Sequence, residues 1–219
     1  MKGKVITVTY HEAKEFLLPK HYSGRTPSIS YAFGWVVDEE LVAVCTFGKP
    51  ASNNLCTGVC GKKWSSRVFE LNRLCRVDHL TYQLSAFVSA CLRRLSGDNL
   101  IIVSYADTRM DHKGYIYQAT NFLYTGSTKR RTEQYTEGNK HSRHSVGKDQ
   151  GTIRKVRSAK HRYVYFAMRD KGMKKEARGS LNYAVEEYPK GVNKNYSLGD
   201  YLQPELIHQV TDETSRLLA

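Results

Sequence analysis

An alternation of strand-like and helix-like segments predicts a mixed α/β protein, and three stretches carry that reading. Residues 100–126 (LIIVSYADTRMDHKGYIYQATNFLYTG) run as an apolar strand, a polar elbow rich in Asp and His, a short amphipathic helix and a second strand. Residues 80–95 place Leu84, Phe87, Val88, Cys91, Leu92 and Leu95 on one helical face, with Gly97 as the stop. Residues 31–37 and 41–47, split by Asp38-Glu39-Glu40, read as an antiparallel hairpin.

The other elements follow in order. Residues 5–10 alternate apolar and polar side chains as a first strand, and 11–18 have helical spacing that ends at Pro19. His21-Tyr22-Ser23-Gly24-Arg25 is a loop closed by Pro27, and the Gly-, Asn- and Ser-rich stretch 48–61 reads as another loop. Residues 67–76 (RVFELNRLCR) form a strand that buries Val68, with Glu70, Asn72 and Arg73 around it. Residues 100–105 are the most apolar strand, 115–122 the short helix, and 123–126 the start of another strand. Residues 127–159 are polar and basic, and are expected to be a long mobile insertion. Strand composition returns at 162–168, followed by a charged helix or loop at 171–178. The expected organisation is one domain over 1–170 with a C-terminal extension, 171–219, packed on it.

Charge is segregated. Of a net charge of +13, residues 129–178 carry 16 Lys/Arg against 5 Asp/Glu, whereas residues 179–219 carry 3 against 6. A cationic block of this kind is the footprint of a polyanion, most often nucleic acid, and Tyr135, His141, His144, Tyr163, Tyr165 and Phe166 interleave flat faces for base stacking. Arg130, Arg131, Lys155, Arg157, Lys160 and Arg162 are the candidate DNA contacts. No run of 18 apolar residues occurs and the N-terminus is too polar for a signal peptide, so a soluble cytosolic protein without membrane contact is expected. Five cysteines with no export signal point to free thiols, and Cys56-x-x-x-Cys60 without a second pair is a weak metal motif.

The elbow concentrates the chemistry. Ser104, Tyr105, Asp107, Asp111 and His112 follow a buried strand, where α/β proteins mount polar groups on a fixed backbone. Asp107 is the first candidate for catalysis; capping the following turn is its alternative role. Arg73, in a strand otherwise suited to burial, needs an anionic partner: it binds a donor, orients Asp107, or pairs with Glu70.

Five blocks resemble the Mom family of bacteriophage DNA-modification proteins: HYSGR (21–25), FELNRL (69–74), VSYADT (103–108), HKGYIYQATNFLYTG (112–126) and HRYVYF (161–166). The order of elements is similar to the GNAT acyltransferase fold, which implies a single GNAT-like domain with a central mixed, largely antiparallel twisted sheet flanked by helices. The resemblance implies conversion of adenine in duplex DNA to N6-carbamoylmethyladenine in the cytoplasm of the bacterial host, shielding phage DNA from restriction enzymes. The catalytic residues expected for that chemistry are Asp107, Arg73, Tyr22, His21, Ser104 and Tyr117. Ser23, Arg25, Asn72, Tyr105, His112, Asn121 and Tyr124 are the expected substrate contacts, in an enzyme that extrudes the target base. His21, Asp107 and His112 would, if they converge, suit non-haem iron.

The donor is left open between a small molecule and a carrier-bound group. GNAT enzymes bind the coenzyme A pyrophosphate on a glycine loop before the long helix; here that junction reads Arg76-Val77-Asp78-His79-Leu80-Thr81, without glycine, which argues against an acetyl-CoA-type donor. A homodimer is compatible with the chain. The alternatives are a GNAT-like acyltransferase acting on another amine (of RNA, protein or a small molecule) and a non-catalytic DNA-binding protein on the same scaffold.

Overall fold

Thr9 marks the first boundary in the chain. Its hydroxyl accepts from the Glu12 amide while the Glu12 carboxylate accepts from the Thr9 amide at 2.6 Å, a capping box that ends β1 (Lys4–Thr7) and starts α1 (Tyr10–Leu17). The computed structural model describes residues 3–21, 26–77, 84–135, 153–192, 202–203 and 205–208. The further elements are β2 (Tyr31–Val37), β3 (Glu40–Gly48), α2 (Asn53–Cys60), β4 (Val68–Arg76), α3 (Leu84–Leu95), β5 (Leu100–Asp107), α4 (Tyr115–Ala119), β6 (Leu123–Ser127), β7 (Arg131–Gln134), β8 (Ile153–Arg157), β9 (Lys160–Ala167), α5 (Lys171–Gly179) and β10 (Leu206–His208).

Seven strands form a mixed sheet in the order β1-β2-β3-β4-β5-β9-β6, antiparallel throughout except for the parallel pair β4–β5. This is the mixed, largely antiparallel sheet expected from the sequence. The hairpin β2–β3 turns on Asp38 and Glu39, both at positive φ (48° and 65°), the pair of left-handed residues that a two-residue turn needs to match strand twist. One sheet face packs against α1 and α3, where Trp35 stacks on Phe87 with ring centroids 5.6 Å apart. The other face buries Val68, Ile101, Val103, Val164 and Phe166 under α2, Trp64 and α5.

Two expectations are corrected. The stretch 48–61 is not a plain loop: α2 lies within it, because Cys56, Val59 and Cys60 gain burial against the sheet that its Gly- and Asn-rich local sequence does not advertise. Both thiols of Cys56-x-x-x-Cys60 are therefore apolar packing groups, and all five cysteines are free. The basic insertion carries β-strands where it is described. β7 and β8 pair, with Arg131 opposite Arg157 and Glu133 opposite Lys155, and β10 joins on the far side of β8. Thr132 paired with Val156 supplies strand-forming residues that the overall polarity of the segment hid. Residues 136–152, most of that insertion, lie outside the described residues, as do the start of the predicted long helix and the glycine-free junction from Asp78 on.

From α5 the chain runs back over the domain as a strap. The Asn182 amide donates to Val59 O at 2.9 Å, the Glu186 amide to Tyr124 O at 2.9 Å, and the Tyr188 hydroxyl to Phe122 O at 2.7 Å. The strap covers the outer edge of β6, which would otherwise present unpaired backbone groups.

Candidate active site

The parallel pairing of β4 and β5 is short. It covers Val68–Ile101, Phe69–Ile102 and Glu70–Val103, after which the strands part. The cause lies in β4: against β3, Thr46 pairs with Arg73 and Phe47 with Leu71, which leaves Asn72 as an extra residue that bends the strand. Asn72 is fastened in that bulge, donating to Ser28 O at 2.8 Å and accepting from Thr46 Oγ1 at 2.7 Å. At the crotch, the fully buried Ser104 hydroxyl donates to Leu71 O at 2.8 Å, the backbone acceptor exposed where the ladder stops. Asn72 and Ser104 thus hold the fork open.

Glu70 stands at that crotch. It is paired with Val103 and therefore shares a sheet face with Tyr105, two residues further along β5. Burial pushes the Glu70 carboxyl above its usual range, while Lys160 and Arg73 pull the other way. Among the described residues no hydrogen bond or ion pair engages its carboxylate. Burial also raises the Tyr105 phenol, and Glu70 beside it adds to that, against Arg162. The sequence reading treated Glu70 only as a partner for Arg73. The missed signal was phase: Glu70 lies two residues from buried Val68, on its face of the strand.

His21, Arg73 and His112 form a second group: Arg73 lies on β4 beyond the bulge, His112 follows the turn after β5, and His21 is near enough to feel both. His21 is 9% exposed, and its imidazole is pushed down to about 3 by burial, with Arg73 and His112 adding to the shift. It is a neutral imidazole at any physiological pH. Burial lowers His112 too, opposed by Asp107 and Asp111. Arg73 Nη1 donates to Asn72 O at 2.6 Å, so the guanidinium is anchored in the bulge. Tyr22, Ser23 and Arg25 lie outside the described residues.

Asp107 ends β5 and is tied on every side. Its Oδ1 accepts from the Arg109 amide at 3.0 Å and from Ser158 Oγ at 2.5 Å, and its Oδ2 is 3.5 Å from Lys160 Nζ. Burial raises its carboxyl, but Ser158, Lys160 and the Arg109 amide outweigh that and hold it below the ordinary carboxylate value. The capping role anticipated as an alternative is present, extended into a bolt between β5 and the turn from β8 to β9. Thr108 Oγ1 donates to Ala159 O at 2.8 Å and completes that bolt.

The remaining candidates fall into other settings. Tyr117 packs against Phe122 and Tyr163, with centroids 5.4 and 5.2 Å away. Asn121 is exposed at φ 61°, the left-handed residue that closes α4. Tyr124 is buried, its hydroxyl 2.9 Å from His161 Nδ1, which also meets Ser127 Oγ at 3.1 Å; His161 was not a predicted site residue. Arg162 donates to Thr125 O at 2.7 Å and lies 3.3 Å over the Tyr183 ring, so its guanidinium clamps the strap. Arg130 pairs with Glu205 at 2.9 Å and Arg157 with Glu133 at 3.2 Å. Arg131 and Lys155 have no counter-ion among the described residues.

His21, Asp107 and His112 do not fit a metal: Asp107 is taken by Ser158 and Lys160, and among the described residues no group of three or more His, Cys, Asp or Glu side chains is arranged to hold one. A cavity of about 260 Å³ beside β1 and β2, lined by Thr7, Tyr10, Ile29, Tyr31 and Phe33 among others, includes none of these groups.

A model of the Mom protein family matches residues 3–190. No curated protein matches the chain. Similar solved structures include an N-acetyltransferase from Staphylococcus aureus Mu50, 11% identical with a TM-score of 0.47 over 76% of this chain and 99% of that one. A GNAT-family acetyltransferase from Bacillus cereus is 11% identical, with a TM-score of 0.44 over 77% of this chain and all of that one (100%). The ribosomal-protein-S18-alanine N-acetyltransferase from Escherichia coli is 7% identical, with a TM-score of 0.46 over 77% and 96%. At these identities the likeness says nothing about substrate.

Proposed function

We propose that this chain, which belongs to the Mom protein family, modifies the N6 amine of adenine in duplex phage DNA, adding a carbamoylmethyl group that protects the DNA from host restriction enzymes. The observation that carries the reading is Glu70, a carboxyl with a raised pKa and no protein partner among the described residues, set where two strands diverge.

An adenine N6 amine is paired and stacked inside a duplex, so the base leaves the helix to reach the fork. Its nitrogen lone pair is delocalised into the ring and attacks a carbon poorly unless a base removes the N–H proton. As the N6–carbon bond forms, that proton passes to Glu70 and the donor's leaving group departs with the bonding electron pair. Tyr105, on the face of Glu70, offers its ring to the extruded base. Neutral His21 and cationic Arg73, beyond the bulge of β4, line the place where a small-molecule or carrier-bound donor would sit, Arg73 offsetting its charge. Asp107 acts through position: it holds the turn before β9 against the end of β5.

Mass spectrometry of nucleosides from plasmid DNA in cells expressing the protein or Glu70→Gln tests the reading. An adenosine heavier by a carbamoylmethyl group, present with wild type and absent with the variant, is expected. An unmodified profile with the folded wild type that still binds duplex would replace the enzyme by a DNA-binding protein or an enzyme of another amine.

A further inference from the structure

The first rung of the β7–β8 arm sets two arginines directly opposite each other. Arg131 and Arg157 are directly paired across the antiparallel ladder, so both project from the same side of the small sheet. Glu133 shares that side, two residues along β7, and it goes to Arg157 at 3.2 Å. Arg131 keeps no counter-ion among the described residues. Like charges directly opposed on a sheet are destabilising, and on this face of β7 and β8 no second acid relieves the pair: its other residues there are Lys155 and Ile153.

The position of this rung matters as much as its charge. Immediately below it the arm is bolted to the catalytic elbow, through Ser158 to Asp107 at 2.5 Å, Thr108 to Ala159 O at 2.8 Å, and the Thr128 and Lys160 amides, each bonded across the root at 2.9 Å. An anion bound at the rung is therefore held at a set distance from the end of β5. Arg131 is also close enough to Tyr105 to oppose the rise of its phenol.

We propose that the Arg131–Arg157 rung seats a backbone phosphate of duplex DNA beside the fork. The proposal rests on the reading of the chain as a DNA-modifying protein, and narrows the cationic block to one pair with a stated ligand. A phosphodiester oxygen pair matches two guanidinium forks and removes the repulsion that the free protein carries. Arg130, Lys160 and Arg162, held by Glu205, Asp107 and the Thr125–Tyr183 clamp away from the rung, contribute field, while the single bond from Arg157 Nη1 to Glu133 leaves the rest of its guanidinium for the phosphate.

Two measurements on the full chain test it: the salt dependence of binding to a fluorescein-labelled 20-base-pair duplex, and the melting temperature without DNA. Arg131→Gln should lower the slope of log affinity against log salt by about 1 while leaving the melting temperature equal or higher. Glu133→Gln, which frees Arg157 and increases repulsion, should lower the melting temperature and tighten duplex binding. A wild-type slope in Arg131→Gln, or weaker binding in Glu133→Gln, overturns the seat. Wild-type protein that fails to bind duplex at all overturns instead the DNA reading on which the proposal stands.

Discussion

Glu70 and Asp107 are carboxylates at neighbouring places in one sheet, the fork and the elbow, and their surroundings drive them apart. Glu70 is buried with no direct partner among the described residues and its pKa rises; Asp107 is also partly buried, yet a hydroxyl, an amide and an ammonium group hold its pKa down. The difference separates a group whose affinity for a proton is raised from one held in its charged form. Burial alone does not make a base: burial without a directly bonded partner does.

The comparison breaks most visibly at Glu70. Glu70→Gln should reduce modified adenine by about 100-fold or more, the usual scale for losing a positioned general base, while duplex affinity holds. The pH dependence carries a sign that only the raised carboxyl has. The folded state keeps the Glu70 proton longer than the unfolded chain, so its stability contribution is present at low pH and is lost as pH rises through the folded pKa. Modification by wild type should rise over the same window, because the base form appears. Glu70→Gln should therefore melt higher than wild type at pH 8 and equal to it at pH 4; a variant that melts lower at pH 8 contradicts the uncompensated carboxyl.

Buried His21, near Arg73 and His112, gives the next largest effect, in stability. Its folded pKa of about 3 lies below the ordinary 6.5, so its contribution is complete above the unfolded value and is lost as pH falls towards 3. That loss amounts to roughly 4 kcal/mol by pH 3. Denaturant unfolding between pH 7 and pH 3 should show a flatter acid limb in His21→Asn than in wild type; parallel limbs would mean that His21 titrates normally.

Asp107→Asn should behave as a loosened bolt. It removes the charge that Ser158 and Lys160 address, at a cost of about 1–2 kcal/mol, and should raise amide hydrogen exchange in β8 and at the root of the arm while part of the modification survives. Complete loss of modification with an intact arm would return the base role to Asp107. The smallest effect belongs to the crotch itself. Ser104→Ala strands the buried Leu71 carbonyl at about 1 kcal/mol, measurable as a shift in the urea midpoint without a change in slope.

Much of the fold was legible along the chain because periodicity is local. The apolar face of α3, the apolar runs of β2 and β3 split by an acidic turn and the continuous apolar run of β5 each announce their element within a dozen residues. The helix α2 was not legible, since its burial against Trp64 and the sheet is made by residues distant in sequence. Nor were the strands of the arm, whose pairing joins residues 131–134 to 153–157 across the intervening stretch.

The same division runs through the site. By itself the sequence determined that positive charge gathers between residues 129 and 178, that polar groups cluster after β5, and that the five family blocks recur in order; composition and spacing suffice for these. Only the tertiary structure decided which carboxyl is compensated and which is not. That depends on a one-residue bulge at Asn72 that parts β4 from β5, and on Ser158 and Lys160 arriving from more than 50 positions away to meet Asp107. A pKa is set by neighbours in space, and here those neighbours are brought together by the sheet.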